Sequence, residues 1–281
     1  MKKLLFIVNP KAGKQKDVSK QLEQILKNHP IVYDIVITTH HGHATHLCLE
    51  LAKQYDIVVA VGGDGTINEV INGLTNQSST LGIIALGSGN DFARTLALPI
   101  NNIDAAIKVL LKGHYKTIDL AEINGIRFIN AVGIGFDGYA NHISQQLNWV
   151  TGGLKYYVAI VIAFFRYQSL HVTINLNDHS ITTSLFMLSI NNGIYVGNGL
   201  PTAPTALLDD GQLNMVEIKH LSRWRLLTQF AKLSQGKINE ISEVSHQLIA
   251  DITIKSRRPL PIHYDGEALK NTKEVNIKVL P

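Results

Sequence analysis

One cysteine, Cys48, is present among 281 residues. That excludes an internal disulfide framework and makes a reducing, cytoplasmic setting the expectation. Cys48 lies in His46-Leu47-Cys48-Leu49-Glu50-Leu51, which reads as helix, so a packed thiol is expected rather than a nucleophile. Long apolar runs are also missing. The longest, Tyr156–Phe165, is closed off by Lys155 and Arg166 and falls well short of the roughly 20 residues a membrane-crossing helix needs. The early run Leu4–Val8 stops at Asn9-Pro10, too short for a signal-peptide core of about 7–15 residues, and reads as a buried first strand. Dense Lys/Arg runs and aromatic RNA-binding motifs are absent, so nucleic acid is not an expected partner. The net charge of +4 and pI near 9.0 suit phosphates, nucleotides or an acidic membrane surface. With 45% hydrophobic and 17% charged residues, the chain has the composition of a folded globular protein.

The first 120 residues or so alternate apolar strands with amphipathic helices. Strands are expected at Leu4–Val8, Ile35–Thr38, Ile57–Val61 and Leu81–Leu86. Helices are expected at Val18–Leu26, Ala44–Lys53, Thr66–Leu74, Asp91–Leu96 and Ile103–Leu111. The all-apolar, β-branched Ile57–Val61 suits a parallel strand covered on both faces. This rhythm predicts a doubly wound α/β domain with its ligand crevice at the carboxyl ends of the strands. Beyond Lys116 the rhythm changes. Asn124-Gly125 between two apolar runs predicts a hairpin. Strands follow at His171–Leu176, Ser184–Ile190, Gln212–Ile218, Leu248–Lys255 and Val275–Leu280, with turns at Asn177-Asp178 and Asp210-Gly211. Helices are expected only around Trp149–Phe165 and Trp224–Leu233. The expected architecture is a nucleotide-binding α/β domain over 1–122 and a mostly antiparallel, β-sandwich-like domain over 123–271.

Three strand-to-helix loops carry the chemistry: Asn9-Pro10-Lys11-Ala12-Gly13-Lys14, Gly62-Gly63-Asp64-Gly65-Thr66-Ile67-Asn68-Glu69, and Gly87-Ser88-Gly89-Asn90-Asp91-Phe92-Ala93-Arg94. Glycines there let the backbone approach a phosphate, and the following helix N-terminus offers free N–H donors. Asp64 and Asp91 are the candidate carboxylates for a phosphate-bound Mg²⁺ or for orienting an acceptor hydroxyl. One such loop could equally be a tight turn with an aspartate cap; three in one sheet favour a phosphate site. The Walker pattern is absent, since Gly13-Lys14 continues into Gln15. Gly133-Ile134-Gly135-Phe136-Asp137-Gly138 fits G-x-G-x-x-G, but no acidic residue stands between Tyr139 and Asn177 to meet a ribose, so a dinucleotide site is rejected.

The second and third loops together resemble the bacterial diacylglycerol kinase-like lipid kinases. The resemblance extends to Asn9-Pro10 with Gly13, to Thr38-Thr39-His40-His41-Gly42-His43-Ala44 and to Asp265-Gly266-Glu267. It implies an ATP-dependent lipid kinase acting on a lipid hydroxyl, with diacylglycerol the default acceptor. It implies ATP contacts at Asn9, Gly13, Thr38, Gly62, Gly63, Asp64, Gly65, Thr66, Asn68, Glu69 and Ser88. It also implies Glu267 as proton acceptor, supported by Asp91 and Asp119. A structural Mg²⁺ is implied at Asp210 with the backbone carbonyls of Leu207 and Gln212. The final strand, 272–281, is implied to return to the first domain. Ala12 departs from the serine of many relatives, which removes one side-chain hydrogen bond to phosphate but not the loop.

The alternatives are an NAD-kinase-like small-molecule kinase, which Ile67-Asn68-Glu69 and the Gly89–Arg94 run fit poorly, and a non-catalytic nucleotide sensor, against which Asp64, Asp91 and Glu267 stand. His40, His41, His43 and His46 read as loop and helix-start residues near the nucleotide rather than as a zinc set. The acid-free stretch from Tyr139 to Asn177 carries Trp149, Tyr156, Tyr157, Phe164, Phe165 and Tyr167 with Lys155 and Arg166. It reads either as a buried helix or as peripheral contact with the inner face of a membrane. An exposed edge strand in the β domain would suit a homodimer.

Overall fold

The computed structural model describes residues 2–13, 17–74, 78–147, 150, 154–176, 179–218, 229, 232, 235–269 and 272–281. They form two compact units, Met1–Lys116 and Thr117–Pro281.

In the first unit, β1 (Lys3–Val8), α1 (Val18–Leu26), β2 (Val32–Ile37), α2 (His43–Leu51), β3 (Ile57–Gly62), α3 (Asp64–Gly73), β4 (Thr80–Ala85), α4 (Asp91–Thr95) and α5 (Ile103–Lys112) follow in order. The four strands form a parallel sheet in the order β2-β1-β3-β4. Every residue of β3 is buried, as a strand covered on both faces requires. On one face Leu4, Phe6 and Val8 meet Val18, Leu22 and Leu26 of α1 and Ile103 and Ile107 of α5. The helix residues sit one turn apart, which places them on a single stripe. Asn102 starts α5 by accepting the Ala105 N–H at 3.0 Å, and Gly113 ends it with φ 68°, an N-cap and left-handed C′ pair. Cys48 is fully buried and its thiol is pushed up to about 12 by burial, in keeping with the expected packed thiol. The chain places β2 on one side of β1 and then crosses to the other for β3. The strand order therefore reverses between β1 and β3, where an open α/β sheet offers its crevice.

The second unit contains β5 (Leu120–Ile123), β6 (Ile126–Phe128), β7 (Ala131–Gly135), α6 (Phe136–Gln146), α7 (Leu154–Arg166), β8 (Leu170–Leu176), β9 (His179–Leu185), β10 (Met187–Asn191), β11 (Tyr195–Val196), β12 (Leu200–Pro201), β13 (Leu213–Ile218), β14 (Val244–Ile249), β15 (Asp251–Ser256), β16 (Ile262–Tyr264), β17 (Glu267–Leu269) and β18 (Glu274–Leu280). Two antiparallel sheets, β14-β13-β10-β7-β16-β17 and β6-β5-β18-β15-β8-β9, supply one shared core that includes Val132, Ile134, Leu188, Ile190, Ile252, Ile254, Val275 and Ile277. No helix among the described residues is long and apolar enough to cross a membrane.

Two expectations change: α6 is a helix that the sequence reading did not expect, and two expected single strands break in two. The last strand pairs with β5 and β15. Its sequence carries the reason: Val275 and Ile277 are buried while Glu274, Asn276 and Lys278 are exposed, an alternation suited to a one-sided sheet and not to a parallel strand covered twice. The two compact units divide at 116/117, which keeps β5 with its partners β6 and β18. The runs Ser184–Ile190 and Leu248–Lys255 each break in two, at Phe186 and Ala250, and each half joins a different sheet. A single residue suffices to switch sheets, and continuous apolar patterning does not reveal it. The expected Asn177-Asp178 turn lies outside the described residues, as does the Trp224–Leu233 helix apart from Gln229 and Lys232. The Asn124-Gly125 hairpin is present, with φ 49° and 83°.

Ile277 is fully buried in the sandwich core, so Ile277→Ala is expected to destabilise the chain by about 2–5 kcal/mol in chemical denaturation. Lys255→Ala breaks only the exposed 2.8 Å pair with Glu274 and is expected to cost less than about 1 kcal/mol.

Candidate active site

The three loops converge at the carboxyl ends of β1, β3 and β4. Asn9 follows β1; its N–H donates to Val61 O at 2.9 Å and its Nδ2 to Thr66 Oγ1 at 3.1 Å, tying the first loop to the second. Gly13 has φ 75° and packs on the carbonyl of Leu86. The second and third loops touch backbone to backbone, since a Cβ on Gly87 would come within 2.5 Å of Gly63 Cα. Asn90 closes the third loop from a left-handed conformation (φ 54°), accepting the Gly87 N–H and donating to Gly87 O, both at 2.8 Å. Asparagine adopts this conformation more readily than other side-chain-bearing residues.

Asp64 and Asp91 meet. A Cβ on Gly89 would lie 3.0 Å from Asp64 Oδ2 and 3.5 Å from Asp91 Oδ2, so both carboxylates line the same bare glycine. Asp64 opens α3 and accepts the Phe92 N–H of α4 at 3.2 Å. Burial pushes its carboxyl above the ordinary value, against the lowering effect of backbone N–H groups at Phe92, Asp91, Asn90 and Asp64 itself. Thr66, Asn68 and Asp91 are buried, Thr38 is buried at the end of β2, and Ser88 is exposed on the third loop. Arg94 Nε donates to Gly89 O at 3.0 Å, which places a cation on the same loop.

Glu69, at the end of the second loop, reaches across to the start of α2. Its carboxylate accepts the N–H groups of Gly42 at 2.8 Å and Ala44 at 3.0 Å, and lies 3.2 Å from His41 Nδ1. It therefore caps α2, whose N-cap Gly42 has no side chain to do so. The histidine loop is ordered in the same way: Thr39 N donates to His43 Nδ1 at 3.1 Å, and the His40 and His43 rings stack with centroids 4.9 Å apart.

In the second unit, Asp119 is buried and joined to the loop of the expected metal donors. Its N–H donates to Leu208 O at 2.6 Å, and its Oδ2 accepts the Gly211 N–H at 2.7 Å. Asp210 Oδ1 accepts the Gln212 N–H at 3.0 Å, folding the loop back on itself. Leu207, Asp210 and Gln212 would offer oxygen alone, the donor type that Mg²⁺ and Ca²⁺ prefer.

Glu267 begins β17 after a two-residue turn, Asp265-Gly266, with φ 46° and 88°. It stands opposite Tyr264, whose hydroxyl is raised by burial first and then by Glu267 and Asp265. Behind this hairpin lies a buried pair absent from the sequence-based candidates, His263 Nε2 and Asp137 Oδ2 at 2.8 Å. Burial alone would lower the imidazole, but the charge and hydrogen bond of Asp137 and the charge of Asp265 carry it above its ordinary value. Nothing local in the sequence signals a pair 126 residues apart.

Comparison with known proteins gives the same outline. Residues 3–123 match the diacylglycerol kinase catalytic domain, and residues 130–281 match the YegS C-terminal NAD kinase beta sandwich-like domain. Diacylglycerol kinase of Bacillus subtilis is 29% identical over 276 residues, covering 95% of this chain and 90% of that protein. Diacylglycerol kinase of Mycobacterium tuberculosis is 33% identical over 220 residues, covering 76% and 71%. A crystal structure of a diacylglycerol kinase from Bacillus anthracis superposes with a TM-score of 0.72 at 28% identity, covering 99% and 94%. The chain belongs to the bacterial diacylglycerol kinase and YegS-like lipid kinase family.

Proposed function

We propose that this protein transfers the γ-phosphate of ATP to a lipid hydroxyl, with diacylglycerol as acceptor. The observation that carries the reading is the convergence of Asp64 and Asp91 on Gly89, at the point where three phosphate-type loops meet. Phosphoryl transfer requires positioning and charge neutralisation more than covalent chemistry. Asn9, Gly13, Thr38, Gly62–Thr66, Asn68 and Ser88 hold the nucleotide, while Glu69 acts one step back by fixing the start of α2. Asp64 and Asp91 would hold a Mg²⁺, whose charge would offset that developing on the phosphates. A second Mg²⁺ on Asp210 and the carbonyls of Leu207 and Gln212 would be structural. Asp119 supports that loop through the Gly211 N–H. Glu267 accepts the proton of the attacking hydroxyl, a step that contributes about 10²–10⁴-fold in rate.

Two features of the second unit suit a lipid. A cavity of about 460 Å³ is walled by Tyr139, Tyr167, Leu260, Ile262, Ala268 and Leu269, and the last two directly follow Glu267. On α7, Leu154, Tyr157, Val161 and Phe165 are 64%, 41%, 57% and 64% exposed, at spacings that share one helix face. Lys155 and Arg166 flank this stripe within the acid-free stretch, which favours an anionic membrane surface as its partner. Phe164 packs instead against the helix core, so contact rests on Val161 and Phe165.

Labelled ATP with a panel of acceptors is expected to phosphorylate diacylglycerol, and Glu267→Gln to reduce kcat at least 100-fold. Phosphate appearing only on NAD would refute the lipid reading, and no transfer to any acceptor would leave a nucleotide sensor. Val161→Ser with Phe165→Ser is expected to weaken co-sedimentation with phosphatidylglycerol-containing vesicles; unchanged binding would remove the membrane contact. Asp64 tests the nucleotide site through stability. With its folded pKa above the ordinary 3.8, the native state holds more protons than the unfolded one between the two values. Stability therefore falls as pH rises through that window, and the ionised carboxylate is a net cost at neutral pH. Asp64→Asn is expected to abolish turnover while leaving the unfolding midpoint at pH 7 unchanged or higher.

A further inference from the structure

The G-x-G-x-x-G run Gly133–Gly138 lets β7, α6 and β16 approach closely. Gly133 lies in β7, opposite His263 of β16. A Cβ there would fall 2.3 Å from both His263 Nε2 and Asp137 Oδ2, so the buried pair exists only because position 133 is bare. Gly138 faces the backbone of Pro261 and Ile262, and a Cβ would come within 2.2 Å of Pro261 O. Gly135 N donates to that same carbonyl at 3.0 Å. The motif thus lets α6 lie directly against the strand that leads to Glu267.

From that position α6 presents Asp137, Asn141 and Gln145, four residues apart and so on one face. All three bond the hairpin, Asp137 at His263 and the other two at Gly266. Asp137 holds His263 of β16. Asn141 Nδ2 donates to Gly266 O at 2.9 Å, and Gln145 Nε2 reaches Gly266 O and Asn141 Oδ1, both at 3.3 Å. The other side of the turn is held by Asp265. Its carboxylate accepts three consecutive backbone N–H groups, from Ile129 at 2.9 Å, Asn130 at 2.9 Å and Ala131 at 3.0 Å, and its own N–H donates to Ala131 O at 2.9 Å. A two-residue turn with both φ values positive would otherwise be free to rock about its strands. Here the turn before Glu267 is bonded from two directions, Gly266 by α6 and Asp265 by the backbone of residues 129–131.

We propose that α6 and Asp265 clamp the Glu267 hairpin, making Asn141 and Asp265 positioning residues for phosphoryl transfer. The proposal rests on Glu267 being the proton acceptor. A general base must stay within hydrogen-bond reach of its proton, and displacement by about 1 Å costs on the order of 100-fold. The clamp acts on the base and leaves the nucleotide loops untouched, so its loss lowers kcat and not the affinity for ATP.

The test is steady-state kinetics on the 281-residue chain carrying Asn141→Leu, a substitution that keeps the side-chain branching and removes the donor. Expected are a kcat lowered at least tenfold, a KM for ATP within twofold of the parent and an intact unfolding transition. Gln145→Ala, at an exposed position, is expected to lower kcat severalfold with the same unchanged KM, and it decides the matter should Asn141→Leu not fold. A folded Asn141→Leu with kcat within twofold of the parent overturns the clamp. So does a parallel loss of ATP affinity, which would mark a general structural role. Glu267→Gln separates the two layers: if it turns over normally, the assignment of the base fails; if it is inactive while Asn141→Leu is not impaired, only the clamp fails.

Discussion

A parallel sheet covered on both faces leaves its polar chemistry only one place to go. The residues of β3 are buried throughout, and a charged group among them would be desolvated without a partner, at a cost of several kcal/mol. Backbone N–H groups at helix starts and carboxylates such as Asp64 and Asp91 therefore collect where the strands end. The reversal of strand order between β1 and β3 opens that edge. Packing then limits residue types, because the second and third loops approach too closely at Gly63 and Gly87 for any side chain.

The same constraint accounts for the strain in the site. Asp64 is held in surroundings that disfavour its charge, offset in part by the N–H groups at the start of α4. A group chosen for stability would not be ionisable there, and perturbed carboxylates of this kind gather where phosphate or metal charge is to be met. Glu69 shows the opposite case. It sits in the same run of sequence, yet its carboxylate replaces the missing cap of α2 and orders the histidine loop. Two acidic residues five positions apart in one motif thus take different partners, Asp64 the start of α4 and Glu69 the start of α2.

The second unit solves a different problem, holding a short two-residue turn in one orientation. Glycines at 133 and 138 allow α6 to approach, and Asp265 draws three backbone N–H groups onto one carboxylate. A carboxylate accepting several N–H groups is among the stronger anchors available to a loop. Both anchors act on the one hairpin that carries Glu267.

Much of this was legible in the residues themselves. Strand and helix periodicity located the strands and α-helices of the first unit to within a few residues, and Asn124-Gly125 announced a hairpin. The three loops declared themselves by composition, because close backbone approach admits little but glycine. What the sequence could not specify were relations between distant positions. Whether Phe186 or Ala250 switches sheets, which unit takes the last strand, and that Asp137 meets His263 across 126 residues depend on how the two sheets pack. Local sequence determined the backbone conformations available. Only the tertiary structure decided which polar groups would be buried together, because that choice is made by burial and partner geometry, neither of which a short stretch of chain contains.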